Sequence, residues 1–129
     1  MATNPALSTA AFTWIDNSPY EIWVQPTALD GTPSGACVHI GPTLPVASWV
    51  GWVDIAMDGL GTVGVAWEEN TFDNDVWGWT WADPEATGID NWQGEVPRLA
   101  GFPSGGFVVV FPKTDYNIEG SIQFAFFGL

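Results

Sequence analysis

No stretch of a dozen residues in this chain has an apolar stripe at helical spacing that is free of glycine and proline. A stripe at i, i+3, i+4 and i+7 is the main signature of an amphipathic helix, so its absence argues against helices. Short runs of alternating apolar residues recur instead, and clusters of turn residues separate them about every ten positions. The sequence therefore predicts an all-β chain.

The first two runs predict a hairpin. Residues 12–15 and 20–25 flank a turn-rich tetrapeptide that begins at Asp16. Further along, Gly51 interrupts a long aromatic run over residues 46–56, where a bulge or bend is expected. The whole pattern predicts about seven or eight strands in an antiparallel β-sandwich, and leaves a jelly-roll-like or a barrel-like topology open.

The length of 129 residues suits one domain with one core. We expect a flexible N-terminal segment over residues 1–10 and a single β-sandwich domain over residues 11–129. Residues 82–106 are rich in glycine and proline and predict a long irregular loop. Loops of that length in compact domains are usually functional, which makes this region a candidate for ligand contacts.

The charge balance restricts the partners. Fifteen acidic side chains face two basic ones, which gives a formal charge of −13. Nucleic acid is excluded, because affinity for phosphates depends on several Lys or Arg contacts, and anionic membranes are excluded for the same reason. A neutral glycan or a lipid head group is the expected partner. Charged residues make up only 13% of the chain, so we also expect apolar surface to be buried in a homo-oligomer.

The most informative segment for function is residues 76–81. Alternation along a strand places Trp77, Trp79 and Trp81 on one face, where three indoles form an amphipathic platform. Indoles combine a large apolar body with one N–H donor, which suits stacking on sugar rings or contact with lipid. Packing of the row into the core and burial of the row between subunits are the alternatives.

The loop after this strand supplies the other ligand-binding candidates. Trp92 stands among polar neighbours, including Asp90 and Asn91, and such a tryptophan is poorly suited to a core. Stacking rings beside acidic and amide groups are the residue types of sugar sites. The predicted ligand-binding residues are therefore Trp77, Trp79, Trp81, Trp92, Asn91 and Asp90.

The same region is dense in carboxylates, with Asp73 and Asp75 one residue apart. Calcium takes about six to eight oxygen ligands, and closely spaced acidic side chains in a loop are a source of them. The spacing does not match an EF-hand loop. Calcium at Asp73 and Asp75 is thus one hypothesis and a solvated acidic rim is the other; no other cofactor is expected.

Residues suited to catalysis are few, and we expect no enzyme activity. His39 is the only histidine, no Gly-x-Ser-x-Gly motif occurs, and no glycine-rich phosphate loop precedes a helix. Cys37 lies two residues before His39 on a predicted strand, where a buried cysteine and a hydrogen-bonded histidine are expected rather than a catalytic pair. A glycosidase that uses two of the carboxylates remains the enzymatic alternative.

The opening hairpin, the aromatic cluster from Trp77 to Trp92 and the final strand over residues 120–126 resemble the aegerolysins in layout. The aegerolysins are small acidic fungal and bacterial β-sandwiches that bind membrane lipids. The characteristic cysteine and glycine motifs of that family are absent here. The resemblance therefore implies a fold and a ligand class, and assigns no functional residue.

Three functions follow as hypotheses. The first is a non-catalytic, lectin-like module that binds carbohydrate through exposed tryptophans; the second is a structural assembly protein, such as a virion or particle component; the third is an aegerolysin-like lipid-binding protein. The N-terminal residues lack a basic start and an apolar run, and no apolar stretch reaches transmembrane length. We expect a protein of the cytoplasm, one released without a classical signal peptide, or a virion component.

Overall fold

The structure, a computed structural model, describes residues 1–17, 20–41, 49–70, 74–83, 87–90, 96–115 and 118–129. Most of these residues are in strands, which confirms the all-β prediction. A short 3-10 helix over Pro5–Leu7 follows the first strand. The strands are β1 Ala2–Asn4, β2 Thr9–Asn17, β3 Tyr20–Ala28, β4 Val38–Gly41, β5 Trp49–Met57, β6 Val63–Asn70, β7 Asn74–Thr80, β8 Thr87–Asp90, β9 Arg98–Gly101, β10 Phe107–Asp115 and β11 Ile118–Phe127.

The strands form three antiparallel sheets. Sheet A has the order β1-β2-β3-β4, sheet B has the order β5-β6-β7-β8, and sheet C has the order β11-β10-β9. No sheet closes into a barrel within the described residues, and the arrangement is sandwich-like, as expected. The described part of the chain has eleven strands rather than seven or eight, because β1, β8 and β9 are too short to leave a clear alternating pattern.

Sheet B is covered on both faces. Val65 and Trp67 of β6 belong to a core cluster with Ile22 and Val24 of sheet A. Ala66, between them on the same strand, belongs to a second cluster with Val109 of sheet C. Successive strand residues point to opposite faces, so sheet A packs on one side of sheet B and sheet C packs on the other.

This central position explains two buried carboxylates on β6. Glu68 and Glu69 are both buried, and each accepts a hydrogen bond that offsets part of the cost of leaving water. The Trp67 Nε1–H donates to Glu69 Oε1 at 2.9 Å, and the Val96 N–H donates to Glu68 Oε2 at 3.2 Å. These acidic residues are therefore parts of the interior, rather than of an acidic rim.

Asp58 joins the layers at the end of β5. Its Oδ1 accepts from the N–H groups of Leu60 (3.0 Å) and Thr62 (2.8 Å), which fixes the turn into β6. Its Oδ2 accepts from the N–H of Gly106 (3.1 Å), in the turn before β10. Asn4 Nδ2 donates to the Asp58 carbonyl oxygen (3.1 Å), so one buried residue ties sheet B to sheets A and C.

The local predictions have mixed outcomes. The hairpin is confirmed, since β2 and β3 pair from Thr9↔Ala28 to Asn17↔Tyr20. The bulge is also confirmed: the β5–β6 register shifts between Gly51 and Asp54, and Trp52 between them has a positive φ of 47°.

The expectation that Cys37 is buried is wrong, because the residue is exposed just before β4 begins. The predicted strand included Cys37, whereas β4 begins only at Val38, so Cys37 lies outside the strand. The flexible segment expected over residues 1–10 contains β1 and the 3-10 helix, and β1 pairs with β2. The long loop expected over residues 82–106 contains β8 and β9.

Candidate functional site

The three tryptophans of the predicted platform have different environments. Trp79 is 3% exposed and belongs to the core between sheets A and B, and Trp77 packs partly buried against the same core. Trp81 follows the end of β7 and is 42% exposed. Packing into the core, one of the alternatives for this row, therefore holds for Trp79. The face of β7 that carries Trp77 and Trp79 points towards sheet A rather than towards solvent.

The other predicted ligand-binding residues are placed only in part. Asp90 is the last residue of β8 and pairs with Val76, while its side chain lies outside the described residues. Asn91 and Trp92 also lie outside the described residues. Their proposed roles stay predictions, and so does that of Trp77, whose buried Nε1–H has no hydrogen-bond partner among the described residues.

Only part of the predicted calcium site also lies within the described residues. Asp73 lies outside the described residues, whereas Asp75 is on β7 and is half-buried. Within the described ranges, no three His, Cys, Asp or Glu side chains are close enough together to hold a metal ion. A calcium site at Asp73 and Asp75 stays a prediction.

A second set of aromatic side chains lies on the outer face of sheet A. Phe12 and Trp14 of β2 are exposed, and Trp14 is directly opposite Trp23 of β3. His39 of β4 is opposite Trp23 in turn, with 5.0 Å between the ring centroids and 50° between the ring planes. We call these four residues, Phe12, Trp14, Trp23 and His39, the aromatic face.

Polar side chains flank the aromatic face on both sides. Asp16 and Glu21 are opposite each other next to the Trp14–Trp23 pair, and Gln25 is opposite Phe12. The Trp23 Nε1–H donates to Glu21 Oε2 at 3.2 Å, which fixes the orientation of that indole. Gln25 Nε2 donates to the carbonyl oxygens of Pro26 (2.9 Å) and Gly35 (2.8 Å).

The aromatic face was not among the residues singled out from the sequence, although its signal is present there. Residues 12, 14 and 16 alternate with buried or half-buried positions, and residues 21, 23 and 25 do the same on the next strand. The register of the hairpin aligns the two sets. The missing information was that sheet A is an outer layer, so that the face with the larger rings is the one in water.

Sheet C presents a different kind of surface. Ile122, Phe124 and Phe126 alternate along β11 on its outer side and are 75%, 67% and 53% exposed. Phe126 stacks on Phe102 with ring centroids 5.9 Å apart, and Val110 of β10 is exposed opposite Phe124. We call Ile122, Phe124, Phe126, Phe102 and Val110 the apolar face. Contiguous exposed apolar surface of this kind marks an interaction site.

Comparisons of the chain with protein-family models, with curated proteins and with solved structures found no match. Across the residues that the structure describes, no helix has the length and apolar character to span a membrane. The functional argument therefore depends on the surfaces described above.

Proposed function

We propose that this protein is a non-catalytic carbohydrate-binding module and that its ligand stacks on the aromatic face of sheet A. The observation that carries the proposal is the pairing of Trp14 with Trp23 on the solvent-facing side of a sheet. Two indoles on neighbouring strands have Cβ atoms about 5 Å apart, so together they form one extended platform. The apolar faces of sugar rings stack on such a surface.

The flanking polar groups support the same ligand class. Carboxylates accept hydrogen bonds from hydroxyl groups, and Asp16 and Glu21 stand at one side of the indole pair. Gln25 stands at the other side, beside Phe12. Stacking supplies affinity with little orientation, and hydrogen bonds at the edge of the platform supply orientation and selectivity.

The charge of the protein selects among carbohydrates. With a formal charge of −13, the chain repels sulfated and sialylated glycans at long range. Carboxylates beside the platform add a short-range penalty for an anionic ligand. We therefore propose neutral glycans as the ligands, and expect raised salt to weaken their binding little.

A glycan array probed with the labelled protein, with and without calcium, tests the proposal. We expect neutral glycans to bind, and Trp14→Ala to lower the affinity at least about fivefold, since the stacking of a nucleic-acid base on one aromatic side chain contributes about 1–3 kcal/mol and a sugar ring stacks on the same kind of surface. Trp52→Ala is the matched control, because Trp52 is an exposed tryptophan on β5 of sheet B, whereas the aromatic face is on sheet A. An array without any bound glycan, or equal losses for both variants, would contradict the proposal.

A second candidate function, self-assembly, is favoured by the apolar face of sheet C. The three exposed side chains of β11 lie on a strand at the edge of the sheet. The cation Arg98 on β9 is opposite Val110 of the apolar face, and the five residues of that face include no carboxylate. Like copies of an acidic protein repel each other least through such a region. We propose that two copies pack their apolar faces together, as two sheets do at about 10 Å.

Light scattering at several protein concentrations tests self-assembly. We expect a mass above that of one chain which returns to 13.9 kDa in the variant Phe124→Ser. A stable dimer buries about 800 Å² per partner, so removing one central ring should shift a weak equilibrium strongly. A monomeric wild-type protein that co-sediments with neutral vesicles would replace this candidate with the lipid-binding alternative.

A further inference from the structure

The strands at the edges of the three sheets are not alike. Within the described residues, these edges are β1 and β4 in sheet A, β5 and β8 in sheet B, and β9 and β11 in sheet C. Four of them, β1, β4, β8 and β9, have only three or four residues. β5 has nine, but its register with β6 shifts between Gly51 and Asp54. β11 has ten, and its last seven, residues 121–127, pair with β10 without a shift.

The difference matters because the edge of a sheet is a template for another strand. Its outward N–H and C=O groups have no partner in the sheet, and proteins limit unwanted pairing by short edges, bulges, prolines and charged side chains. Shortness or a bulge limits each of the five other edges. Residues 121–127 have neither, and their sequence, Ser-Ile-Gln-Phe-Ala-Phe-Phe, has no proline and no charge. This stretch of β11 is therefore open to pairing.

The side chains of β11 already have a defined arrangement. Ala125 and Phe127 pack against the cluster between sheets B and C, whereas Ile122, Phe124 and Phe126 are exposed on the outer side. β10 pairs with one edge of the strand, and in the described part of the chain no strand pairs with the other edge. A strand that adds to β11 would therefore extend sheet C without moving its packing on sheet B.

The charge of the protein restricts where two copies can meet. Each chain has a formal charge of −13, so copies repel each other at long range, and a contact between them has to avoid opposing carboxylates. Residues 121–127 bring none. We propose that β11 pairs antiparallel with β11 of a second copy, about a two-fold axis at Phe124. This contact through the strand edge is distinct from the face-to-face packing proposed above and does not depend on it.

The sequence of β11 suits such an axis. Two-fold symmetry in an antiparallel pair places one residue opposite its own copy. With Phe124 at the axis, Ile122 is opposite Phe126 of the second copy, and all of residues 121–127 are paired. Aromatic and β-branched residues that are opposite each other stabilise a sheet. Opposite residues also lie on the same side of a sheet, so the two apolar faces become one surface on a six-stranded sheet.

The expected strength of this contact follows from its size. Each hydrogen-bonded residue pair exchanges two hydrogen bonds, so seven residue pairs give about six to eight hydrogen bonds between the copies. One strand edge buries less than the about 800 Å² per partner that is typical of a stable dimer, so we expect weak association with a Kd of about 1–100 µM.

Amide hydrogen exchange of the ¹⁵N-labelled protein, measured by NMR well above and well below this Kd, tests the edge contact. We expect the alternate amides of residues 121–127 that face away from β10 to exchange at least about tenfold more slowly at the higher concentration. The other amides of this stretch face β10 and serve as the internal reference. Light scattering on the same samples should give a mass of at least twice 13.9 kDa at the higher concentration. Face-to-face packing leaves the outward amides without partners, so it does not protect them.

Two variants that add the same charge separate the edge from the face. Gln123 is exposed and lies on the side of β11 away from the apolar face, and Gln123→Lys places two lysines diagonally across the axis, so we expect the Kd to rise at least about tenfold. Val110 belongs to the apolar face but lies on β10, inside sheet C, so Val110→Lys should retain the amide protection. Phe124→Ser weakens both contacts and does not separate them.

Three results would overturn the edge contact. The first is a protein that stays monomeric at every concentration. The second is association without slower exchange of the outward amides of β11. The third is a Gln123→Lys variant that associates like the wild type while Val110→Lys does not, which would leave face-to-face packing as the assembly contact. The glycan array with Trp14→Ala is unaffected by these results, because it reports on sheet A.

Discussion

Two tryptophan pairs on neighbouring strands have opposite environments in this molecule. On β6 and β7, Trp67 is opposite Trp77, and Trp67 is completely buried while Trp77 packs partly buried against the same core. On β2 and β3, Trp14 is opposite Trp23 on the outer face of sheet A, where Trp14 is exposed and Trp23 is half-buried. Strand pairing brings the two rings together in both cases. The difference teaches that the position of a sheet among the layers decides whether such rings pack in the core or form an outer surface that a ligand can contact.

The largest expected effect comes from the buried side of this comparison. Trp79→Ala, next to the buried pair on β7, removes a nearly buried indole from the core between sheets A and B, and we expect a loss of about 3–5 kcal/mol in the free energy of unfolding. Urea denaturation followed by circular dichroism measures it. A loss below about 1 kcal/mol would mean that Trp79 is not a core residue.

The next largest loss of stability is expected at Asp58, whose hydrogen bonds connect sheet B to its neighbouring sheets. Asp58→Ala leaves the N–H groups of Leu60, Thr62 and Gly106 without their acceptor, so we expect a loss of about 2–3 kcal/mol. Asp58→Asn is the control, because the amide retains one carbonyl oxygen and should cost less. Thermal unfolding of the two variants measures the difference. Equal, small losses would show that Asp58 does not join the layers.

The solvent-facing pair should behave in the opposite way to Trp79. Trp14 is 42% exposed, so Trp14→Ala should change the free energy of unfolding by about 1 kcal/mol or less, while glycan binding falls. Urea denaturation and the glycan array, on one protein preparation, give both values. A large loss of stability in this variant would remove the distinction between the two pairs.

The apolar face of sheet C should show a still smaller effect on folding. Phe124 is 67% exposed, so Phe124→Ser should change the free energy of unfolding of one chain by about 0.5 kcal/mol or less. Denaturation at a concentration where the protein is monomeric isolates that value from self-association. A much larger loss would mean that Phe124 stabilises its own chain by more than its edge-to-face contact with Phe126, whose ring centroid is 5.8 Å away.

The smallest expected effect is at Asp30, in the turn that follows β3. The hydrogen bond from the Thr32 N–H lowers the pKa of the exposed Asp30 carboxyl below its ordinary value of 3.8. Its contribution to stability is therefore complete above that unfolded-state value and is lost as the pH falls through the folded-state value. In Asp30→Asn, the decrease of Tm between about pH 4 and pH 2 should be slightly shallower. Identical pH profiles for the two proteins would contradict this assignment.

Much of the local structure could be predicted from the sequence. The hairpin of β2 and β3 and the bulge after Gly51 follow from turn residues and from glycine in an aromatic run, which act over a few positions. The short strands β8 and β9 could not be predicted, because four residues give too few alternations to define a face. Their pairing depends on neighbours that are distant in sequence.

The candidate site was predicted only in residue type. The sequence indicated tryptophans beside acidic and amide groups, and these occur on the aromatic face as Trp14 and Trp23 with Asp16, Glu21 and Gln25. It favoured the row at Trp77, Trp79 and Trp81 because that row has the most indoles. Only Trp81 of that row is exposed, and it contributes to a cleft rather than to a flat platform.

The sequence by itself determined that this chain forms strands, where its first hairpin turns, and that its formal charge is −13. Those properties depend on local backbone preference and on total charge, which do not require the fold. Only the tertiary structure decided that sheet B is the middle layer, because both faces of a strand such as β6 can be apolar in many arrangements. That single decision buried Trp79, Glu68 and Glu69, and left Trp14 exposed and Trp23 half-buried on an outer face.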